Sequence, residues 1–442
     1  MMAPLPRYKA GIKYMLDIKF IRDNKDIVLQ ALKNRNASSD INLDELLELA
    51  DKQKQLRVEL DTLNAKRNEA AKAQNIEEGK RLKEEAVSLE AAYAEVEKAF
   101  LALMLKIPNV PSADTPVGPD ESGNVVVRQW GEPKKFSFTP KAHWDLGKDL
   151  DIIDSDRAGT VAGSRFTYLK GGLARMQFAL IQFCFDVLTN EDTLKTIAEE
   201  AGIEVATKPF TPVVPPVMVK PAVLNRMARL EPREDRYYIE QDDVFLAGSA
   251  EHTIGSMHMD EVFEETQLPV RYIGYSSAFR REAGSYGKDT KGILRQHQFD
   301  KLEMESFTKP EDGLREQQFL VAIQEYMMRK LGLPHQVVLV CTGDMGTPDY
   351  RQVDIETWMP GQDTYRETHS SDYVASYQPR RLNTRYKNSE GKSEFVHMND
   401  ATLFAIGRTL IALMENYQQE DGSIAVPDVL RPYMGGMTTI TR

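Results

Sequence analysis

Between residues 46 and 107 the chain carries a single glycine and no proline, a stretch in which nothing interrupts a helix. Its apolar positions advance in alternating steps of three and four. The second half reads Leu82, Ala86, Leu89, Tyr93, Val96, Phe100, Leu103, Ile107, and the first Leu46, Leu49, Gln53, Leu56, Leu60, Leu63, Arg67, Ala70. That spacing is a heptad seam, with Gln53 and Arg67 as polar interruptions. Two such helices joined by a short turn at residues 74–79 fold back on each other as an antiparallel pair. At ~1.5 Å per residue, the ~25 residues of the first seam give an arm on the order of 40 Å long. A shorter helix is expected before it, at residues 21–33. Lys66, Arg67, Lys72, Lys80, Arg81 and Lys83 lie toward the tip among acids. Alone they read as a solvated charged face, and in a suitable partner's presence as phosphate contacts.

The helix stops at residues 108–119, Pro-Asn-Val-Pro-Ser-Ala-Asp-Thr-Pro-Val-Gly-Pro, a linker dense in proline and turn residues. Beyond it the pattern is mixed. A helix is expected near residues 173–190 and an extended Pro-rich stretch at 210–221. Alternating runs follow near 270–279, 298–308, 336–341 and 352–359. The turns between them are too short for regular βαβ crossovers, so an α+β fold is expected, an antiparallel sheet flanked by helices and preceded by an all-α coiled-coil arm. The chain divides into an extension, residues 1–14, an arm domain, 15–112, and a larger domain, 113–442.

A length of 442 residues suits two domains, and 41% hydrophobic with 28% charged residues is ordinary for a globular protein. No apolar run approaches the ~20 residues that span a bilayer, and no secretory signal opens the chain, so a cytoplasmic protein is expected and no membrane partner. Residues 1–14 carry Arg7, Lys9 and Lys13 with no acid. They read either as a fragment of an organellar targeting peptide, with a matrix location, or as an upstream start ahead of Met15. The two cysteines, Cys184 and Cys341, sit in apolar surroundings; buried thiols are expected, with neither a disulfide framework nor a structural zinc site. A formal charge of −11 excludes a generic nucleic-acid coat, so any nucleic-acid contact must be local.

The chemistry concentrates at residues 279–305. Phe279-Arg280-Arg281-Glu282-Ala283-Gly284-Ser285 and Arg295-Gln296-His297-Gln298-Phe299-Asp300-Lys301-Leu302-Glu303 read as two strands joined by a glycine-bearing loop. Arginines on paired strands can grip a polyphosphate, a carboxylate such as Glu282 can accept from an exocyclic amine, and Phe299 offers a stacking face. The same residues also suit surface ion pairs around a core aromatic. There is no Walker loop and no Gly-x-Gly-x-x-Gly after a strand.

This stretch resembles motif 2 of the class II aminoacyl-tRNA synthetases in its seryl form, Phe-Arg-x-Glu-Ala-Gly-Ser followed by Arg-x-His-Gln-Phe-x-Lys-x-Glu. The similarity runs over nearly all of residues 15–434. It includes Asp17-Ile18-Lys19-Phe20-Ile21-Arg22, the arm, Ile107-Pro108-Asn109-Val110-Pro111, Ser164-Arg165-Phe166, Asp354-Ile355-Glu356, Tyr365-Arg366-Glu367, Glu415-Asn416-Tyr417-Gln418-Gln419 and Val429-Leu430-Arg431-Pro432. The resemblance implies a ligase that activates L-serine with ATP and Mg²⁺ and loads tRNA(Ser), with tRNA(Sec) as a further acceptor, working as a homodimer whose helical arm meets the tRNA.

The resemblance also implies residue roles. Arg280 holds the α-phosphate, Glu282 reads the adenine amine, Phe299 stacks on the ring, and Arg281 and Arg295 complete the nucleotide site. Glu367-Thr368-His369-Ser370 matches the Glu-Ile-Ser-Ser segment that meets ATP, Glu367 and Ser370 at its magnesium. Arg408, after Gly407, matches the motif 3 arginine at the γ-phosphate. Ser249-Ala250-Glu251 stands in for a Thr-x-Glu loop lining the amino-acid pocket, with Glu303 and Thr402. Pro215 matches the motif 1 proline at the dimer interface.

Several positions depart from the family. After His397 the usual Thr-Leu-Asn-Gly-Ser-Gly reads Met398-Asn399-Asp400-Ala401-Thr402-Leu403, so the asparagine has become Asp400 while Thr402 keeps a hydroxyl. Asn399 could take the asparagine's part after a one-residue adjustment. Tyr373 replaces the asparagine after Glu-Ile-Ser-Ser-x-Ser, and Ala375-Ser376 a Trp-Asp pair. Two other readings remain at this stage, a paralogue that passes an activated amino acid to a carrier protein and a non-catalytic tRNA-binding descendant. The arm and the absence of zinc-binding cysteines weigh against the first, the retained arginines and glutamates against the second.

Overall fold

Asn42 opens the first long helix by accepting the Asp44 and Glu45 backbone N–H groups at 3.1 and 3.3 Å, and Asn75 opens the second by accepting that of Glu78 at 3.1 Å. In this computed structural model, which describes residues 17–37, 41–283 and 291–442, the chain divides after Pro111 into two compact units. The extension, residues 1–14, lies outside the described residues.

The first unit holds helices α1 (Ile18–Asp23), α2 (Lys25–Asn34), α3 (Leu43–Lys72) and α4 (Ile76–Met104). The single helix expected at residues 21–33 is two, because Asn24, at φ −132° and ψ 39°, leaves the helical region between them. The expected turn at 74–79 is also shorter. Asn75 caps α4 at once, so Gly79 falls inside the helix and Gln74, at φ 56°, makes the reversal. Every seam position is buried or half-buried, and Gln53 is satisfied across the pair by Tyr93 and Glu97 at 3.5 and 3.4 Å.

In the second unit an eight-stranded sheet is built from β1 (Val125–Trp130), β2 (Thr211–Val213), β3 (Val270–Phe279), β4 (Gln298–Thr308), β5 (His335–Leu339), β6 (Arg351–Met359), β7 (Thr364–Ala375) and β8 (His397–Ala405). Their order is β1-β5-β6-β7-β8-β4-β3-β2, antiparallel throughout except where β2 lies parallel to β3. This is the expected antiparallel architecture. Helices α5 (His143–Asp149), α6 (Gly171–Leu188), α7 (Glu251–Ile254), α8 (Gly313–Lys330) and α9 (Ile406–Tyr417) accompany it. The main core packs the apolar faces of α6, α8 and α9 against Ile273, Leu302, Met304 and Leu403 of the sheet.

Two bulges decide which side chains reach the other side of that sheet. Between β6 and β7 the register steps from Ile355↔His369 to Glu356↔Glu367, leaving Thr368 extra. Between β4 and β8 it steps from Leu302↔Phe404 to Glu303↔Thr402, leaving Leu403 extra. An extra residue reverses the alternation of side chains, so an odd position and an even one on the same strand can face the same way.

Candidate active site

A cavity of about 440 Å³ opens over the centre of the sheet, where β4, β7 and β8 lie side by side. Alternation along β4 points Phe299 and Lys301 into it. The bulge at Thr368 lets Glu367 join Ser370 and Asp372, and the bulge at Leu403 lets Ala405 join Asp400 and Thr402.

One end of the cavity is arginine-rich. Arg280 follows β3, its N–H on the His297 carbonyl at 3.0 Å, and its Nε donates to the Gly248 carbonyl at 3.0 Å. The guanidinium carbon stands 5.3 Å from the centre of the Phe299 ring. Arg295 Nη1 donates to Glu282 Oε2 at 2.5 Å, and Arg408 Nη1 to the Glu367 carbonyl and to its Oε1, both at 3.0 Å. The expectation that Arg280 and Arg295 sit on paired strands needs correction. The ladder stops at Phe279 and Gln298, and Arg295 lies on an irregular approach because the Ile293 N–H goes to the His143 ring at 3.2 Å rather than to a strand. Gly284 and Ser285 lie outside the described residues.

The other end is acidic. Glu303 accepts from Ser249 Oγ at 3.1 Å and from Thr402 Oγ1 at 3.5 Å, and pairs with Lys301, which also donates to Ser249 at 3.2 Å. Arg229 Nε lies 2.6 Å from Glu251 Oε1. Burial alone would raise the Glu251 carboxyl, yet Arg229, with Lys301 adding to it, holds it well below the usual carboxylate range. Burial raises Glu303 despite Lys301, and it drives Glu305 far up with Glu251 and Glu303 adding to the effect. Asp372 is pushed up to about 6, mainly by burial, which Arg229 opposes. Burial keeps His252 neutral, down to about 3, and its Nδ1 accepts the Gly248 N–H at 3.2 Å.

The structure thus brings together Arg280, Glu282, Arg295, Phe299, Glu367, Thr368, Ser370, Arg408, Glu251 and Thr402 on the cavity wall, with Glu303 and Ser249 bonded just beneath. Three expected residues are directed elsewhere. Arg281 lies with its guanidinium 5.6 Å from the Tyr237 ring, His369 packs on Phe404 through the sheet, and Ala250 is fully buried against Gly274. The sequence reading did not assign Arg229, Arg236, Lys301, Asp372 or Gln352, all of which line the cavity. Lys301 could have been found, standing two residues before Glu303 on one strand. Arg229 and Arg236 come from irregular segments without periodicity.

A family model described as the seryl-tRNA synthetase N-terminal domain matches residues 15–111, and one for the class II tRNA synthetase core domain (G, H, P, S and T) matches residues 236–417. A curated relative, the serine–tRNA ligase of Symbiobacterium thermophilum, is 42% identical, covering 95% of this chain and 98% of its own. The chain belongs to the seryl-tRNA synthetases. That of Thermotoga neapolitana is 43% identical, over 95% of this chain and 99% of its own. Among solved structures, the seryl-tRNA synthetase of Pyrococcus horikoshii complexed with ATP superposes with a TM-score of 0.84 at 33% identity, covering 97% of this chain and 99% of that one. Seryl-tRNA synthetase thus describes the chain over both its units, the arm as well as the sheet.

Proposed function

We propose that this cavity activates L-serine with ATP and that the protein then loads the seryl group onto tRNA(Ser). The observation that carries the reading is the joining, in one cavity, of three arginines and a stacking ring at one end with a hydroxyl-lined carboxylate at the other. A serine carboxylate oxygen attacks the α-phosphorus in line, the new P–O bond forms as the bond to the bridging oxygen breaks, and pyrophosphate leaves. A terminal ribose hydroxyl of tRNA next attacks the acyl carbon and AMP departs. Neither step needs a side-chain nucleophile; positioning and charge neutralisation supply the rate.

In this reading Phe299 stacks on the adenine, Glu282 accepts from its amine, and Arg280 and Arg408 neutralise the α- and γ-phosphates. Arg295 is anchored by Glu282 and braces the same end. Burial, then the nearby Glu367 and Asp372, drive the Asp354 carboxyl far up, a crowding of acids that suits a cation. Glu367 and Ser370 would hold a magnesium there, which draws charge from the phosphate oxygens. At the other end Ser249, Glu303 and Thr402 recognise the substrate hydroxyl, and alanine would leave them unpaired.

The arm gives tRNA a reach of exposed lysines, Lys66, Lys72, Lys80 and Lys83, on a helix pair whose seam is internally satisfied. Around the buried Pro215, Val214 and Met218 are exposed, which favours a second copy of the chain against this edge of the sheet. Among the described residues no helix is long and apolar enough to cross a membrane, consistent with work in the cytoplasm. The test is exchange of labelled pyrophosphate into ATP with serine, threonine, alanine or glycine. Exchange with serine above the others supports the reading, and exchange with none of them sinks it.

A further inference from the structure

Asp400, where the family pattern has asparagine, stands directly across the β8–β4 ladder from Glu305 and across the β8–β7 ladder from Asp372. One carboxylate oxygen of Asp400, one of Glu251 and one of Glu303 all lie within 4.8 Å of one another. Three oxygens within that distance of one another share a point no more than about 2.8 Å from each, within reach of charge-assisted N–H···O bonds. Three acceptors around one point fit the three donors of an alkylammonium group. The protein supplies two cations to this triangle, Arg229 on Glu251 and Lys301 on Glu303. Asp400 stands beside Glu251 in the same buried triangle, and carboxyl groups this close favour a proton on one of them over a further negative charge.

We propose that Asp400 completes, with Glu251 and Glu303, a three-carboxyl cradle for the α-ammonium of the amino acid, and that it surrenders its proton to solvent as the ammonium arrives. The substrate then serves as the third cation. This inference rests on the serine-activating reading and adds a proton to its binding step. An asparagine at this position has one acceptor oxygen and no proton to release.

The groups facing Asp400 agree with this exchange. Glu251 and His252 approach from α7, Arg229 from the segment after Pro221–Arg226, Lys301, Glu303 and Glu305 from β4, and Asp372 from β7. Burial, then Glu251 and Asp372, pushes the Asp400 carboxyl well above its usual range, and Arg229 only partly opposes them. The buried Glu305 carboxyl oxygens have no hydrogen-bond partner, so no cation at Glu305 relieves its neighbour. Serine affinity therefore falls on acidification, because a proton must leave before the ammonium can be held.

Calorimetric titration of the protein with L-serine at pH 7, in phosphate and in Tris, reads the protons released from the difference in heat. Wild type is expected to release close to one proton per serine. Asp400→Asn should bring that release close to zero and raise KM for serine roughly tenfold, the cost of a lost charged acceptor, while KM for ATP stays put. Wild type that binds serine without releasing a proton overturns the proposal, whatever the variant's fold, and so does a variant that releases as many. Pyrophosphate exchange on the same preparation separates the two levels. Absence of serine-dependent exchange refutes the underlying reading, and exchange without proton release refutes only the cradle.

Discussion

His143 Nδ1 and Glu415 Oε1 lie 3.0 Å apart with both side chains sealed from solvent, and the other ring nitrogen of His143 accepts the Ile293 N–H at 3.2 Å. The ring is therefore neutral, its proton on Nδ1. Glu415 also takes the backbone N–H groups of His143 and Gly361 and the Gln362 amide, so the start of α5, the β6–β7 turn and α9 meet on one carboxylate. Gly292, at φ 71°, leaves no room for a Cβ beside the ring. Ile293 leads straight into Arg295.

His143→Ala should therefore act twice. Losing one donor to a buried carboxylate and stranding a backbone N–H costs about 2–4 kcal/mol of stability, read from urea unfolding. Because the Arg295 approach loses its tether, KM for ATP should rise more than KM for serine in pyrophosphate exchange. Equal changes in both constants would show that the ring supports the fold alone.

Arg271 and Glu316 form a second sealed pair, bidentate at 2.6 and 2.6 Å, with Ser306 Oγ donating to the same carboxylate at 2.6 Å. Glu316→Ala leaves a buried guanidinium without its counter-ion and should cost about 3–5 kcal/mol. The double variant Arg271→Met, Glu316→Leu should recover most of that loss. A double variant as unstable as the single one would show that packing, not charge, dominates.

Stability should also respond to acid through His369. Burial, with His335 adding to it, holds the imidazole neutral down to about 3. The unfolded chain takes up a proton near pH 6.5, the folded one only near 3, so the folded state binds fewer protons in between. The stability tied to this ring is complete above pH 6.5 and declines toward pH 3, by at most about 1.4 kcal/mol per pH unit. Buried acids held above their usual range titrate in the opposite sense, so the quantity to measure is wild type minus His369→Phe in urea midpoints at pH 7, 5.5 and 4.5. A difference that does not change with pH would contradict the assignment.

Replacing residues 56–96 by a short glycine linker removes the outer part of α3 and α4, Tyr93 included, and keeps Gln53 and Glu97, which stand 3.4 Å apart. Serine-dependent pyrophosphate exchange should survive and charging of tRNA should fall below detection. Equal loss of both would make the helix pair architectural.

Much of this was legible in the sequence because periodicity reports directly on burial. The seam positions of α3 and α4 and the bounds of β3 and β4 match the structure, and Arg280, Glu282, Arg295 and Phe299 line one cavity. What was hidden follows from features without a period. The bulges at Thr368 and Leu403 determine which residues of β7 and β8 face the cavity, and nothing in Glu-Thr-His-Ser announces that His369 turns away while Glu367 and Ser370 do not. Arg229 carries a charge the acidic end requires, yet it arrives from an irregular segment. Asp400 stood out as a departure, but its partner Glu251 lies far away in sequence and only the fold joins them.

The seam has one further implication. Because α3 and α4 touch through a repeat of seven and reverse at a capped turn, their length is quantised. A single inserted residue in either helix would rotate every later seam side chain by about 100° and undo the pairing. Matched insertions of seven in both keep it and extend the arm by about 10 Å. The arm is a ruler marked in heptads, and its reach can be reset by whole divisions without altering the sheet that carries the chemistry.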